Sequence, residues 1–407
     1  MVPFYFKKSK KFKKICVLII CVSIFIMMMP ERIVGEDISL HAMSAVLMDG
    51  DLGRVLYDKN GENPMANAST TKILTGIIVL ENCDRNEMVI VSKNAASQPN
   101  VQMDIVEGEE YLVEELLYGM MLESYNDCAV ALAEHVSGSV EDFSVLMNEK
   151  AKEIGCTDTY FITPNGLDAE NENGFHHTTA TDLCKIMRYC VWESPKAEEY
   201  VQITSTENYK NCVNRNLFLG MEEDAITGKT GYTSKAGYCY VAAIEKNGKK
   251  MCIALLGCGW PSNKNYKWED TKNLITYCDT CYRFVSINEV IESLEQKKTI
   301  NVLGGYNENP SLESWQKICT IQISPKLLSD EEKILVCDNE SFDVRYEFNK
   351  KWEAPVLDES EIGSMKIFLN GEEIKNINLY ADNEIEKWDY VNLFKCILDE
   401  FLLRKVS

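Results

Sequence analysis

The sequence predicts an α/β body followed by a small all-β domain and a terminal amphipathic helix, on three observations. Strand-like segments lie at both ends of a long helical stretch, so one sheet joins the two termini of the first domain. Beyond about residue 298 the pattern changes to short β-like runs. The last twenty or so residues carry an apolar stripe at helical spacing. For 407 residues, about two to three domains are expected.

The elements follow in order. "SAVLMDGDLGRVLYDKN" reads as two short strands around an Asp-Gly/Leu-Gly turn, a hairpin signal. A helix begins at "NASTTKILTG", and helices continue to about residue 196. Two of these, "VEELLYGMMLES" and "DCAVALAEHVSG", are separated by a polar break at Ser124–Asn126. "AGYCYVAAIE", the turn "KNGK" and "KMCIALLGC" return to strand over 236–259, with Asn247-Gly248 as a two-residue hairpin turn. A helix to about residue 285 closes the body.

Downstream, "KTINVLG", "ICTIQIS", "KILVCD", "FDVRYEF" and "GSMKIFLNGEEIKNINLYA" read as strands, with an Asn370-Gly371 turn in the last. The final segment places Trp388, Val391, Phe394, Ile397, Leu398 and Phe401 on one helical stripe. It is expected to lie on a membrane surface or to pack against the β domain or a partner. The expected divisions are 1–35, 36–290, 291–382 and 383–407.

Charge excludes one class of function. The net charge is -21, although residues 1–35 are basic, with six lysines and Arg32 against Glu31. So acidic a body argues against nucleic-acid binding and fits small-molecule or peptide substrates. The basic run Lys7–Lys14 precedes about fifteen apolar residues ending at Pro30, the layout of a secretory signal. "PERIVGEDISL" offers Gly35 but no clear small-x-small pair, so cleavage and retention as an anchor both stay open. The chain is expected to be exported.

Sixteen cysteines in an exported chain usually indicate disulfides. Here Cys16 and Cys21 fall in the leader, and Cys128, Cys184, Cys190, Cys239 and Cys252 sit singly in apolar stretches, where a thiol behaves as a small hydrophobe. The C-x-x-C at Cys278 and Cys281 falls late in a helix with no strand leading into it, unlike a redox site.

Three short motifs carry the chemistry. Ser69 and Lys72 stand at i and i+3, on one helical face, where a lysine shielded from water can act as base for the serine. A second S-x-x-K, Ser314 to Lys317, is read as chance. In "ESYND", Ser124 and Asn126 lie in the break between helices, placed to relay a proton and to hold a substrate carbonyl; a helix cap or Asx turn is the plain alternative. In "ITGKTGYTSKAGYC", Lys229 and Thr230 are placed to hold a carboxylate, and Gly231 lets another backbone approach the strand. A Walker loop is excluded because Glu223 stands where glycine is required.

Serine-x-x-lysine, S-x-N and K-T-G in this order form the signature set of penicillin-recognising serine enzymes. The chain resembles the low-molecular-mass penicillin-binding proteins, serine-type D-Ala-D-Ala carboxypeptidases of the bacterial cell wall. "ASTTKILT", "LLYGMMLESYNDCAVALAEH", "TPNGLD", "TATDLCKIMRY" and "GKTGYTSKAGYC" carry the likeness, and "APVLDESEIGSMKIFLNGEEI" resembles the family's second domain. The leader and residues 297–350 have no clear counterpart. Tyr125 stands where the family commonly has glycine, and the final helix is less basic than an anchor of the family.

The resemblance implies an antiparallel sheet with a helical cluster and an acyl-enzyme on Ser69, with Lys72 as its base. Ser124 would pass a proton to the leaving amine, and Asn126 would orient the substrate amide. Lys229 and Thr230 would bind the terminal carboxylate, with Gly231 beside them in the substrate site, and the N–H groups of Ser69 and Tyr232 would hold the oxyanion. Asn165 and Asp182 match positions near the family site, and Arg215 is a further candidate for carboxylate binding. The implied partners are peptidoglycan stem peptides ending in D-Ala-D-Ala, β-lactams as covalent inhibitors, and the outer face of the cytoplasmic membrane. No metal or cofactor is implied. His176-His177 reads as a loop feature, since the chain has four histidines and no H-E-x-x-H. A β-lactamase, a D,D-endopeptidase and a non-catalytic penicillin-binding sensor are the rival readings.

Overall fold

The computed structural model describes residues 38–294, 298–306, 319–325, 332–348 and 351–403. The expected leader, the Ser314–Lys317 match and the last four residues lie outside these. The described chain falls into two compact units divided between Tyr282 and Arg283. The expected boundary at residue 290 falls inside a helix, Ile287–Leu294.

The first unit is built on a five-stranded antiparallel sheet of β1 (Ser44–Asp49), β2 (Val55–Lys59), β3 (Ala225–Thr233), β4 (Gly237–Lys246) and β5 (Lys249–Leu256). Their order is β2-β1-β5-β4-β3, so β1 from the start of the unit pairs with β5 from its end (Ser44 opposite Leu256). β1, β4 and β5 are buried almost throughout, because the sheet is covered on both faces. The expected final helix is shorter than its apolar pattern: it spans Tyr266–Cys281, and Tyr282–Ser286 turns to strand.

Helices fill the space between β2 and β3. The central one, α1 (Lys72–Asn82), is buried from Lys72 to Leu80. It is apolar all round, as a helix in the middle of a cluster must be. Around it pack Val113–Tyr118, α2 (Asn126–Ser137), Val140–Ile154, α3 (Ala180–Arg188) and Ala197–Ser205. Their side chains form one continuous core with the inner face of the sheet.

Among the described residues no cysteine forms a disulfide. Most are buried, and burial raises the thiol pKa of Cys128, Cys184 and Cys190 well above the ordinary value. They act as apolar packing. Cys278 is buried and Cys281 half-buried on the last turn of the 266–281 helix.

The second unit holds a six-stranded sheet with its own core, which includes Ile321, Met365, Ile367 and Leu379. Strands Glu361–Leu369 and Glu372–Ala381 form its central hairpin around Asn370-Gly371. The terminal helix spans Tyr390–Leu403. Trp388 lies outside it, its ring 4.8 Å from Tyr306, so the helical stripe begins at Val391. Val391, Phe394, Ile397, Leu398, Phe401 and Leu402 are all exposed. No helix among the described residues is long and apolar enough to cross a membrane.

Candidate active site

Ser69 sits in a short 3-10 turn, Ala68–Thr71, that runs directly into α1. In a 3-10 turn residues i and i+3 eclipse, so Ser69 lies over the first residue of the α-helix, Lys72. The Lys72 amine is 2.9 Å from Ser69 Oγ, 2.9 Å from Asn126 Oδ1 and 2.7 Å from the Asn165 carbonyl. It is wholly buried. Burial, and next the nearby Lys229 charge, hold its pKa well below that of a free lysine. A neutral amine has two N–H donors and one lone pair. With Asn126 and Asn165 accepting both hydrogens of such an amine, its lone pair would face the Ser69 hydroxyl.

The second group comes from the end of a helix. After Val113–Tyr118 the chain widens into a π-turn, Gly119–Glu123, and Ser124 adopts a left-handed conformation (φ 68°) before α2 starts at Asn126. Such widened turns cluster at functional sites. Tyr125 is half-buried and its ring packs over Gly119, so it turns back onto the helix.

The third group lies on β3, the edge strand. Lys229 is buried and donates to Ser124 Oγ at 2.9 Å and to the Thr230 carbonyl at 3.2 Å. Burial pulls its pKa down to about 7. Gly231 is the point of closest approach, because a Cβ there would stand 2.8 Å from Ser69 N and 3.0 Å from the Asn67 carbonyl. Tyr232 opposes Tyr238 of β4, yet Tyr238 donates its N–H to Gly259. Opposed residues of an antiparallel ladder exchange both hydrogen bonds or neither. The Tyr232 N–H therefore points off the open edge of the sheet, beside the Ser69 turn.

Ser69, Lys72, Asn126 and Asn165 thus form one hydrogen-bonded group and Ser124 and Lys229 a second, near enough for the Lys229 charge to act on Lys72, with Thr230, Gly231 and Tyr232 alongside. Asn165 also bonds through its side-chain amide to Gln98. Asp182 joins neither. Its carboxylate accepts from the N–H groups of Thr157 and Asp158 and from the Thr159 hydroxyl, and pairs with Lys185 at 3.0 Å. It anchors the 157–159 segment. Arg215 stands at the rim, two-thirds exposed, with Nε donating to Glu123 at 2.6 Å, one residue before Ser124.

His176 and Gly166 support the Ser69 turn in ways sequence reasoning missed. His176 Nδ1 accepts the Ile162 and Thr163 N–H groups, so Nε2 carries the proton and donates to Thr71 Oγ1 at 2.9 Å. Burial lowers its pKa to about 3, which keeps it neutral. Thr71 in turn donates to the Ala68 carbonyl at 2.9 Å. That same carbonyl would be only 1.9 Å from a Cβ at position 166, so only glycine fits there. The His-His pair in the sequence shows two adjacent imidazoles but not that one is buried under the Ser69 turn.

The cluster can activate a hydroxyl, offer two N–H groups to an oxyanion and present a cation to an acidic group. Residues 31–259 match the D-alanyl-D-alanine carboxypeptidase family, and residues 335–387 match the penicillin-binding protein 5 C-terminal domain. The D-alanyl-D-alanine carboxypeptidase DacF of Bacillus subtilis is 29% identical over 375 residues, 88% of this chain and 90% of that protein. Penicillin-binding protein 5 of Haemophilus influenzae has the same fold, with a TM-score of 0.64 and 24% identity over 87% of this chain and 100% of that one. Penicillin-binding protein D2 of Listeria monocytogenes in its ampicillin-bound form gives 0.53 and 25%, covering 60% of this chain and 98% of its own. The chain belongs to the D-alanyl-D-alanine carboxypeptidase family of serine peptidases.

Proposed function

We propose that the chain releases the terminal D-alanine from peptidoglycan pentapeptides through an acyl-enzyme on Ser69. The observation that carries this reading is the buried Lys72 amine, 2.9 Å from Ser69 Oγ and held by two oxygen acceptors, Asn126 Oδ1 and the Asn165 carbonyl. Ser69 Oγ attacks the carbonyl between the last two D-alanines and its proton passes to Lys72. The oxyanion forms between the Ser69 and Tyr232 N–H groups, where each donor is worth about 10²–10³ in rate. The C–N bond then breaks, and the proton held by Lys72 passes through the Ser124 hydroxyl to the departing amine, leaving both groups as they began. Water attacks the acyl-enzyme and restores the Ser69 hydroxyl.

Lys229 and Thr230 receive the terminal carboxylate, with Arg215 at the rim. The carboxylate partly neutralises Lys229 and frees Ser124 to turn toward the leaving group. Asn126, whose oxygen is held by Lys72, has its amide N–H near the cleft, bonded to the Pro99 carbonyl at 3.1 Å. A β-lactam offers a strained amide and a carboxylate to the same groups and acylates Ser69.

The exposed apolar face of Tyr390–Leu403 and the basic, apolar leader support a place on the outer face of the cytoplasmic membrane. A helix of this kind lies in the interface plane rather than spanning it. Phe394→Glu with Phe401→Glu should release the protein from anionic vesicles without changing catalysis.

The full chain, purified in detergent, is incubated with a fluorescent penicillin and with a muramyl pentapeptide. A long-lived label with D-alanine release is expected, both lost in Ser69→Ala. Rapid drug hydrolysis would instead indicate a lactamase, and label without D-alanine release a sensor. Cleavage of cross-linked dimers in preference to pentapeptide would indicate an endopeptidase.

A further inference from the structure

α1 and α2 begin with Lys72 and Asn126, and their opposite ends meet again at a second group of side chains. Cys83 caps the C-terminus of α1, Glu87 lies on the turn that follows, and His135 is in the last turn of α2. One ligand atom from each, the thiol sulfur, a carboxylate oxygen and an imidazole nitrogen, lies within 4.8 Å of the others. Each helix spans about 16–18 Å at 1.5 Å per residue. The group is therefore a helix length from the reacting atoms.

The plain account is an ion pair between Glu87 and His135, 3.1 Å apart, next to an idle thiol. An exposed pair of this kind is worth about 0–1 kcal/mol. Three features go beyond it. The donor set is sulfur, imidazole nitrogen and carboxylate oxygen, which suits zinc among the divalent cations. Glu87 is already oriented, because one of its oxygens accepts the Asp84 N–H at 2.7 Å while the other faces His135 Nε2. Finally, two helix C-termini converge here, and the negative end of each helix dipole favours a cation.

We propose that Cys83, Glu87 and His135 bind one thiophilic divalent cation of the zinc type, with water in the fourth position, and so tie the far ends of α1 and α2 together. Bond lengths of about 2.0–2.3 Å put tetrahedral ligand atoms roughly 3.2–3.8 Å apart, so Glu87 and His135, 3.1 Å apart, already have that spacing and the Cys83 sulfur closes on them by at most about 1 Å. Burial and Glu87 push the free Cys83 thiol up to about 11. Binding therefore displaces the thiol proton to solvent as the metal–sulfur bond forms. With one thiolate, one carboxylate and a neutral imidazole, the occupied site carries no net charge.

Cobalt(II) is the probe, added under reducing conditions to the full metal-free chain. One equivalent should give a near-ultraviolet thiolate-to-cobalt charge-transfer band that stoichiometric zinc bleaches, and zinc should raise Tm. Cys83→Ser and His135→Gln should each abolish the band and weaken zinc binding by more than about 100-fold, while Cys281→Ser changes neither. Penicillin labelling, unchanged in all three, confirms that they are folded. Absence of the band in the wild type would overturn the proposal. So would a band of equal strength in Cys83→Ser, which would assign the metal to other thiols.

Discussion

Lys229 and Ser124, from an edge strand and a helix end, meet at 2.9 Å, and the lysine's other hydrogen bond goes to the Thr230 carbonyl at 3.2 Å. Lys229 is also among the charges that keep Lys72 neutral. Removing it, as in Lys229→Met, should let the Lys72 pKa rise. The acid limb of penicillin acylation then moves to higher pH, and the loss of activity as Lys229 deprotonates near 7 disappears. A pH–rate profile of acylation reads both effects, and an unmoved acid limb would refute the coupling.

The same substitution should stabilise the fold. Both lysines have folded pKa values below their unfolded ones, so the unfolded chain binds more protons between about pH 7 and 10.5 and stability rises with pH across that window. Below it the cost of holding the amines in a buried place is fully present. Lys229→Met should therefore raise Tm at pH 6 by about 2–4 °C per kcal/mol recovered, with the difference shrinking toward pH 10. Calorimetry across that range tests the sign.

Lys72→Arg separates a base from a mere cation. A guanidinium keeps its proton at any working pH, so the variant should lose about 10²–10⁴-fold in acylation, the same loss expected of Lys72→Met. Retention of activity by the arginine variant, measured by stopped-flow labelling, would rule out Lys72 as the base.

Gly231→Ala puts a methyl 2.8 Å from Ser69 N. Either β3 or the Ser69 turn must shift, which pulls the two oxyanion donors apart. Acylation should fall by about 10²–10³, while Tm changes little because the edge strand can move outward. Equal losses in rate and stability would point to general unfolding instead.

Asp182→Ala should do the reverse. It removes an acceptor shared by two N–H groups, a hydroxyl and Lys185, a loss of about 3 kcal/mol and roughly 6–12 °C in Tm. The acylation rate of the folded fraction should stay within a few-fold of wild type.

The motifs made the clustered side chains legible because each lies in a local pattern: Ser69 and Lys72 one turn apart, Ser124 and Asn126 in a break, Lys229 to Gly231 in one short run of a strand. The strands β1, β4 and β5 were legible because buried sheet residues leave long apolar runs. Asp182 looked like a site residue because it stands in a family-like segment, but its role depends on a loop some twenty-five residues earlier in the chain. His176 and Gly166 were hidden for the same reason, since their meaning lies in the Ala68 carbonyl about a hundred residues away. The helix Ile287–Leu294 was missed because a short strand, Tyr282–Ser286, separates it from the longer one before it.

Ala68, one residue before Ser69, has a left-handed backbone (φ 49°), a conformation that costs a non-glycine residue of order 1–3 kcal/mol. It persists because Thr71 holds its carbonyl and Gly166 leaves room for it. A serine mounted on a hinge of this kind arrives at the substrate already aimed. The free and the drug-acylated enzyme should therefore superpose at this turn, and the protein meets its ligand as a rigid socket.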